Sequence, residues 1–167
     1  MHFLYWDASA LGKRYADETG TAFVNHIFDK FPRDRMMALY LAIGEVMSII
    51  IRKQNAGLVG DDEAAHALIE FRSEVADAAD FRLESVEDHL VRGSLDLIEK
   101  HFLNATDAVV LWSAREVASA LRNRNDDLVL VASDTRLLRA AAAEGLLTFN
   151  PETDTQPRLD QLIAGDS

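Results

Sequence analysis

Residues 3–11, FLYWDASAL, decide how the rest of the chain is read. Large apolar or aromatic side chains fill positions 3–6 and run straight into Asp7, and small residues follow at Ala8, Ser9 and Ala10. A continuous apolar run stopped by a polar residue marks a strand covered on both faces, and such strands belong to parallel sheets flanked by helices. Ligands of open sheets bind beyond the carboxyl ends of the strands. Asp7 stands at such an end, where its commonest role is to cap the helix that follows.

Outward from this strand the pattern keeps alternating. Residues 9–17 read as a short helix start, and 21–31 as a helix with Phe23, Val24, Ile27, Phe28 and Phe31 inward, broken at Pro32. A nearly continuous apolar run over 36–43 passes into a helix around Glu45 that continues to about Ala56, closed by Gly57 and Gly60. Asp61, Asp62 and Glu63 then put negative charge on the first turn of another helix, where the macrodipole favours it. Phe81 and Leu83 alternate with polar neighbours as in a short strand, and residues 88–102 return to helical spacing.

The second half repeats these signals. Asn104 is placed to cap a helix that carries Val110, Leu111, Ala114, Ala118 and Leu121 and ends in the polar loop 123–127. Residues 128–132 form a second continuous apolar strand, and it terminates in Ser133 and Asp134 much as the first terminates in Asp7. A helix over 136–144, a stop at Gly145 and a strand over 146–149 follow. The alternation predicts a three-layer α/β/α sandwich with a mainly parallel central sheet over residues 1–151, with 152–167 as a C-terminal tail.

Bulk properties narrow the function. A chain of 167 residues, 49% hydrophobic and 27% charged, is expected to fold as one domain around its own core. The absence of cysteine removes disulfides and thiolate zinc sites and fits a reducing, cytoplasmic setting. No apolar stretch is long enough to span a bilayer, so no membrane partner is expected. With 17 Lys and Arg against 28 Asp and Glu, the formal charge of −11 repels nucleic acid at long range, so any nucleic-acid site must be locally basic. His2, His26, His66, His89 and His101 share no metal-ligand spacing, and no glycine-rich phosphate loop follows either apolar strand. An aspartyl phosphatase would carry a second acid two residues after the first, where Ser9 stands.

Four acids stand out by position. Asp7 and Asp134 close buried strands on one rim of the sheet, Glu45 sits among Val46, Met47 and Ile49, and Asp107 shares a helical face with Val110, Leu111 and Ala114. Capping, or an ion pair for Glu45, accounts for each acid singly. Together they form a set of partly buried carboxylates, which is costly unless a positive charge compensates, and a divalent cation does so most simply. An all-oxygen donor set selects a hard ion, Mg²⁺ or Mn²⁺.

These residues bring out a family resemblance. The chain resembles the PIN-domain ribonucleases, most closely the VapC-like toxins of type II toxin–antitoxin pairs, over residues 3–151. The resemblance rests on Tyr5-Trp6-Asp7-Ala8-Ser9-Ala10-Leu11, Ala42-Ile43-Gly44-Glu45-Val46, Asp107-Ala108-Val109-Val110-Leu111 and Ser133-Asp134-Thr135-Arg136-Leu137-Leu138, in that order. It implies a metal-dependent endoribonuclease with Asp7, Glu45, Asp107 and Asp134 as catalytic residues and ligands of Mg²⁺ or Mn²⁺. Ser9 and Ser133 would support them by hydrogen bonds. Lys13, Arg14, Arg52, Lys53, Arg115 and Arg136 lie near the acids in sequence and are candidates for holding RNA. The implied partners are an RNA substrate, a cognate antitoxin with a basic inhibitory segment, and a second copy of the chain as homodimer. The competing reading is a catalytically silent PIN-like module that binds protein or RNA.

Overall fold

Strand β1 (His2–Trp6) lies at the centre of a five-stranded sheet in the computed structural model, which describes residues 1–164. It pairs with β2 (Met36–Leu39) on one side and β4 (Asp127–Val131) on the other; β3 (Arg82–Glu84) and β5 (Leu147–Phe149) form the edges. All four pairings are parallel, in the order β3-β2-β1-β4-β5. The register sets Trp6 opposite both Ala38 and Val131, so β1 and β4 finish level with one another and β2 runs one residue further.

Side chains of alternate residues enter two separate cores, which explains why these strands show no polar alternation. Leu4, Trp6, Met36, Ala38, Val129 and Val131 pack with α1 (Ala8–Leu11), α2 (Thr21–Lys30), α3 (Leu41–Asn55) and α4 (Asp61–Phe71). Tyr5, Met37, Leu39, Leu128 and Leu130 pack with α5 (Asp88–His101), α6 (Ala105–Arg122) and α7 (Thr135–Ala143). The architecture is a three-layer α/β/α sandwich. Two glycines mark close approaches: a Cβ on Gly20, at φ +93°, would meet the Pro151 carbonyl oxygen at 2.8 Å, and one on Gly93 would fall inside the Trp112 indole that joins α5 to α6.

Three local expectations change. The helix start over 9–17 is the single turn α1 followed by a 3₁₀ turn over Gly12–Arg14. The apolar run over 36–43 divides, because α3 already begins at Leu41; an apolar run alone cannot mark where a buried strand hands over to a buried helix. The segment read as a tail carries α8 (Gln156–Ala164), whose Leu159 and Leu162 are buried in the first core, so it is part of the sandwich. Leu159, Leu162 and Ile163 have the i, i+3, i+4 spacing that announces such a helix. Residues 165–167 lie outside the described residues. Among the described residues no helix is long and apolar enough to cross a membrane.

Candidate metal centre

The level ends of β1 and β4 fix the first two acids. Asp7 follows β1 and is 7% exposed; its backbone N–H donates to the Val131 carbonyl at 2.9 Å, and its Oδ2 accepts from the Ser9 N–H (2.9 Å) and the Ser9 hydroxyl (2.5 Å). The same Ser9 hydroxyl oxygen accepts from the Ser133 N–H at 2.9 Å, tying the two strand ends together. Asp134 caps α7, its Oδ1 accepting from the N–H groups of Arg136 (2.7 Å) and Leu137 (3.1 Å). Both aspartates therefore do cap helices. Because a carboxylate offers about four acceptor positions, capping leaves each able to bind a further cation.

The other two acids come from helices that approach this rim. On α6, Asn104 and Asp107 cap one another: the Asn104 Oδ1 accepts from the Asp107 N–H, and the Asn104 amide donates to Asp107 Oδ2, both at 2.8 Å. On α3, Leu41, Glu45, Ser48, Ile49 and Arg52 follow helical spacing along one face. Asp7, Ser9, Glu45, Arg52, Asp107 and Asp134 line a single cavity of about 570 Å³, together with Ser48 and Thr106. A second cavity of about 520 Å³ adjoins it, sharing Ser9, Ile49, Arg52 and Asp134.

Electrostatics show how closely these groups act on one another. Burial, and then the Asp134 charge, push the Asp7 carboxyl above its ordinary range, against the hydrogen bonds from Ser9. Burial and the charges of Asp7 and Asp107 raise Glu45 to about 7, opposed by Arg52. Burial and the charges of Asp7 and Asp134 raise Asp107 to about 6, opposed by Arg136 and Asn104. Carboxylates that raise one another's pKa are a set short of positive charge. Among the described residues no group of three or more His, Cys, Asp or Glu side chains is arranged so that it could hold a metal ion. The donor chemistry nevertheless fits a hard divalent ion: oxygen ligands only, anchored by caps, around a cavity open enough for bound water.

The basic residues divide. Arg52 lines both cavities, and the Arg136 guanidinium lies 3.8 Å from Asp134 Oδ2. Lys13, Arg14 and Arg115, expected along a substrate path, are committed elsewhere. Lys13 is 2% exposed and bonded to Glu152 at 2.6 Å, so it reaches only the second cavity, where Lys53 pairs with Glu18 at 3.2 Å. Arg14 forks onto Glu74 with two 2.6 Å bonds and covers the Phe28 ring. Arg115 lies over Trp112 and pairs with Glu144 at 3.2 Å. Sequence neighbours of an acid are not its spatial neighbours when the helix between them turns away. Ser133 lines the second cavity, and its hydroxyl is buried with no partner among the described residues. Ser48 and Thr106 were missed; their signal was position, three residues after Glu45 on the same helical face and one before Asp107.

No protein-family model matches this chain, and no curated protein matches it. Among solved structures, the crystal structure of PAE2754 from Pyrobaculum aerophilum superposes with a TM-score of 0.60 at 24% identity, covering 99% of this chain and 100% of that one. At that identity the likeness carries the fold.

Proposed function

We propose that the chain is a metal-dependent endoribonuclease, the toxin of a type II toxin–antitoxin pair, as the resemblance to PIN-domain proteins implies. The observation that carries the reading is the convergence of Asp7, Glu45, Asp107 and Asp134 on one cavity at the carboxyl rim of the sheet, with Asp7, Glu45 and Asp107 held above their ordinary pKa by burial and then by neighbouring carboxylate charge. Asp7, Asp107 and Asp134 would hold Mg²⁺ or Mn²⁺. When bound, such an ion neutralises phosphate charge and acidifies water. Glu45 is suited to accept a proton from an attacking water, since a carboxyl with a pKa near 7 exchanges protons at neutral pH. Ser9 fixes the orientation of Asp7 by its 2.5 Å bond, and Arg52 offers charge to a phosphate at the mouth shared by the two cavities.

An acidic cavity is also a receptor for an arginine, whose planar fork bonds carboxylates with two donors. An antitoxin carrying such a basic segment would compete with the metal. The toxin reading includes a homodimer and residence in the cytoplasm.

The test is cleavage of a mixed RNA pool by wild type, Asp7→Asn and Asp134→Asn. Wild type should cut only with Mg²⁺ or Mn²⁺, and each variant should lose roughly 100-fold or more, the scale of removing a group that stabilises a reacting centre. Equal cleavage by all three refutes the nuclease reading and leaves a silent binding module. Co-expression with the product of an adjacent small open reading frame tests the toxin part separately. A complex that cuts as fast as the free chain, or no complex, leaves a free-standing nuclease.

A further inference from the structure

The end of α5 has an unusual backbone. Phe102 follows the last residue of the helix with φ +55° and ψ +38°, the left-handed conformation, and its side chain is 84% exposed. Glycine takes that conformation just after α7, at Gly145, and after α3, at Gly57. Among the described residues the only other non-glycine with positive φ is Asn125, a residue that tolerates it well. A phenylalanine held there and turned to water gains nothing from burial in compensation. Such outliers persist chiefly where the side chain has something to do.

Its surroundings suggest what. Phe102 lines a cavity of about 360 Å³ with Lys100, His101, Arg136 and Arg139. In a chain of net charge −11 this is a local basic pocket with an aromatic at its edge. Lys100 and His101 are held from behind by Glu144, at 2.7 and 2.6 Å. Arg139 is exposed, bonds the Thr135 carbonyl at 3.2 Å and has no carboxylate partner among the described residues. Arg136 lines this pocket while its guanidinium lies 3.8 Å from Asp134, so one side chain joins the basic pocket to the acidic cavity. Flexible single strands are bound by this combination of cations that follow the phosphates and an exposed ring on which a base stacks, and the stacking tolerates any sequence.

We infer that Phe102, Lys100, Arg136 and Arg139 form a subsite for single-stranded RNA beside the acidic cavity, with a base stacked on Phe102 and the adjoining phosphates on Arg136 and Arg139. The subsite rests on the nuclease reading for its ligand. Arg136 would lead the strand from the ring toward Asp134.

The experiment measures anisotropy of a labelled single-stranded RNA of about 12 nucleotides in EDTA, so that binding is read without cleavage. Phe102→Ala should weaken binding roughly 10-fold, Phe102→Trp should retain it, and Arg139→Ala should lower the slope of log affinity against log salt by about 0.7. Phe102→Gly separates function from folding: it relieves the left-handed strain, so its thermal midpoint should stay level or rise while RNA affinity falls as in Phe102→Ala. Unchanged affinity in Phe102→Ala and Arg139→Ala overturns the subsite, and the Mg²⁺-dependent cleavage assay then decides the nuclease reading independently. A wild type that binds no single strand overturns it as well. A shift of Phe102→Ala from dimer to monomer on light scattering, with RNA affinity intact, overturns it in favour of a contact with a second copy. Weakened binding by the variants of a wild type that never cleaves keeps the subsite and removes the nuclease.

Discussion

Glu74 and Glu144 are treated by the fold in the opposite way from Asp7, Glu45 and Asp107. Arg14 hydrogen-bonds Glu74, Arg33 adds its charge, and the carboxyl lies below its ordinary range. Glu144 is pushed up by burial, yet bonds from Lys100 and His101 and the charge of Arg115 hold it below that range. These two acids knit helices together: Glu74 joins the chain just after α4 to the turn after α1, and Glu144 joins the end of α7 to α5 and α6. The cavity acids have neutral hydrogen bonds, from Ser9 to Asp7 and from Asn104 to Asp107, and no cation bonded to Asp7, Glu45 or Asp107 among the described residues. A protein with 28 acids and 17 Lys and Arg could still have placed cations beside them; instead Lys13, Arg14 and Arg115 lie on other carboxylates. Arg52 and Arg136 supply part of the positive charge at the cavity, and on the proposed reading the rest would come from outside, as a metal or as a partner's arginine.

The two sets of acids should differ most in stability. Glu144→Ala leaves Lys100, Arg115 and the His101 ring without the carboxylate they share, which is 7% exposed, and should cost about 2–3 kcal/mol, somewhat below the loss for a fully buried pair because Lys100 and Arg115 reach water. Asp7→Asn should cost nothing in metal-free buffer, since asparagine still caps α1 and the repulsion from Asp134 is gone. Thermal unfolding of both variants in EDTA checks this; a large loss in Asp7→Asn would make Asp7 a structural acid like Glu144. Glu74→Gln should fall between them, at about 1–2 kcal/mol, because Arg14 keeps one neutral acceptor.

The smallest effect is in pH. Glu45, raised to about 7, and Asp107, raised to about 6, bind protons more tightly folded than unfolded. Their contribution to stability is complete below about pH 4 and is lost as pH rises through 6 and 7. Glu74 and Glu144, lowered, contribute above about pH 4.5 and lose that as pH falls. The metal-free melting temperature should therefore drop between pH 5 and 8, by a modest amount because Glu45 and Asp107 are only half-buried and screened by water. Glu45→Gln should flatten the drop. An unchanged slope would mean that neither burial nor its neighbours raise Glu45.

Much of this arrangement could be read from the residues. Continuous apolar runs ending in Asp7 and Asp134 marked central parallel strands, and both acids do stand at the ends of neighbouring strands. The register that brings Glu45 and Asp107 to the same rim depends on where α3 and α6 begin, and an apolar run over 36–43 hides the first of those points. The basic residues were least legible. Whether Lys13, Arg14 or Arg115 faces the cavity depends on pairings across 29 to 139 positions, which no local pattern encodes. The buried α8 was legible from Leu159, Leu162 and Ile163, but its short length and polar neighbours masked the spacing. Phe102 was read only as the last apolar residue of a helix; its left-handed backbone carries no sequence signal, since glycine is the residue expected there.

On the proposed reading the cavity acids await an external cation. Isothermal titration of Mn²⁺ into metal-free protein tests it directly, with wild type compared against Asp7→Asn and Glu144→Gln. Wild type and Glu144→Gln should bind Mn²⁺ alike and release protons on doing so near pH 6.5, while Asp7→Asn should bind at least about 10-fold more weakly. Failure of wild type to take up Mn²⁺, or equal uptake by Asp7→Asn, would show that these acids do not form a metal site.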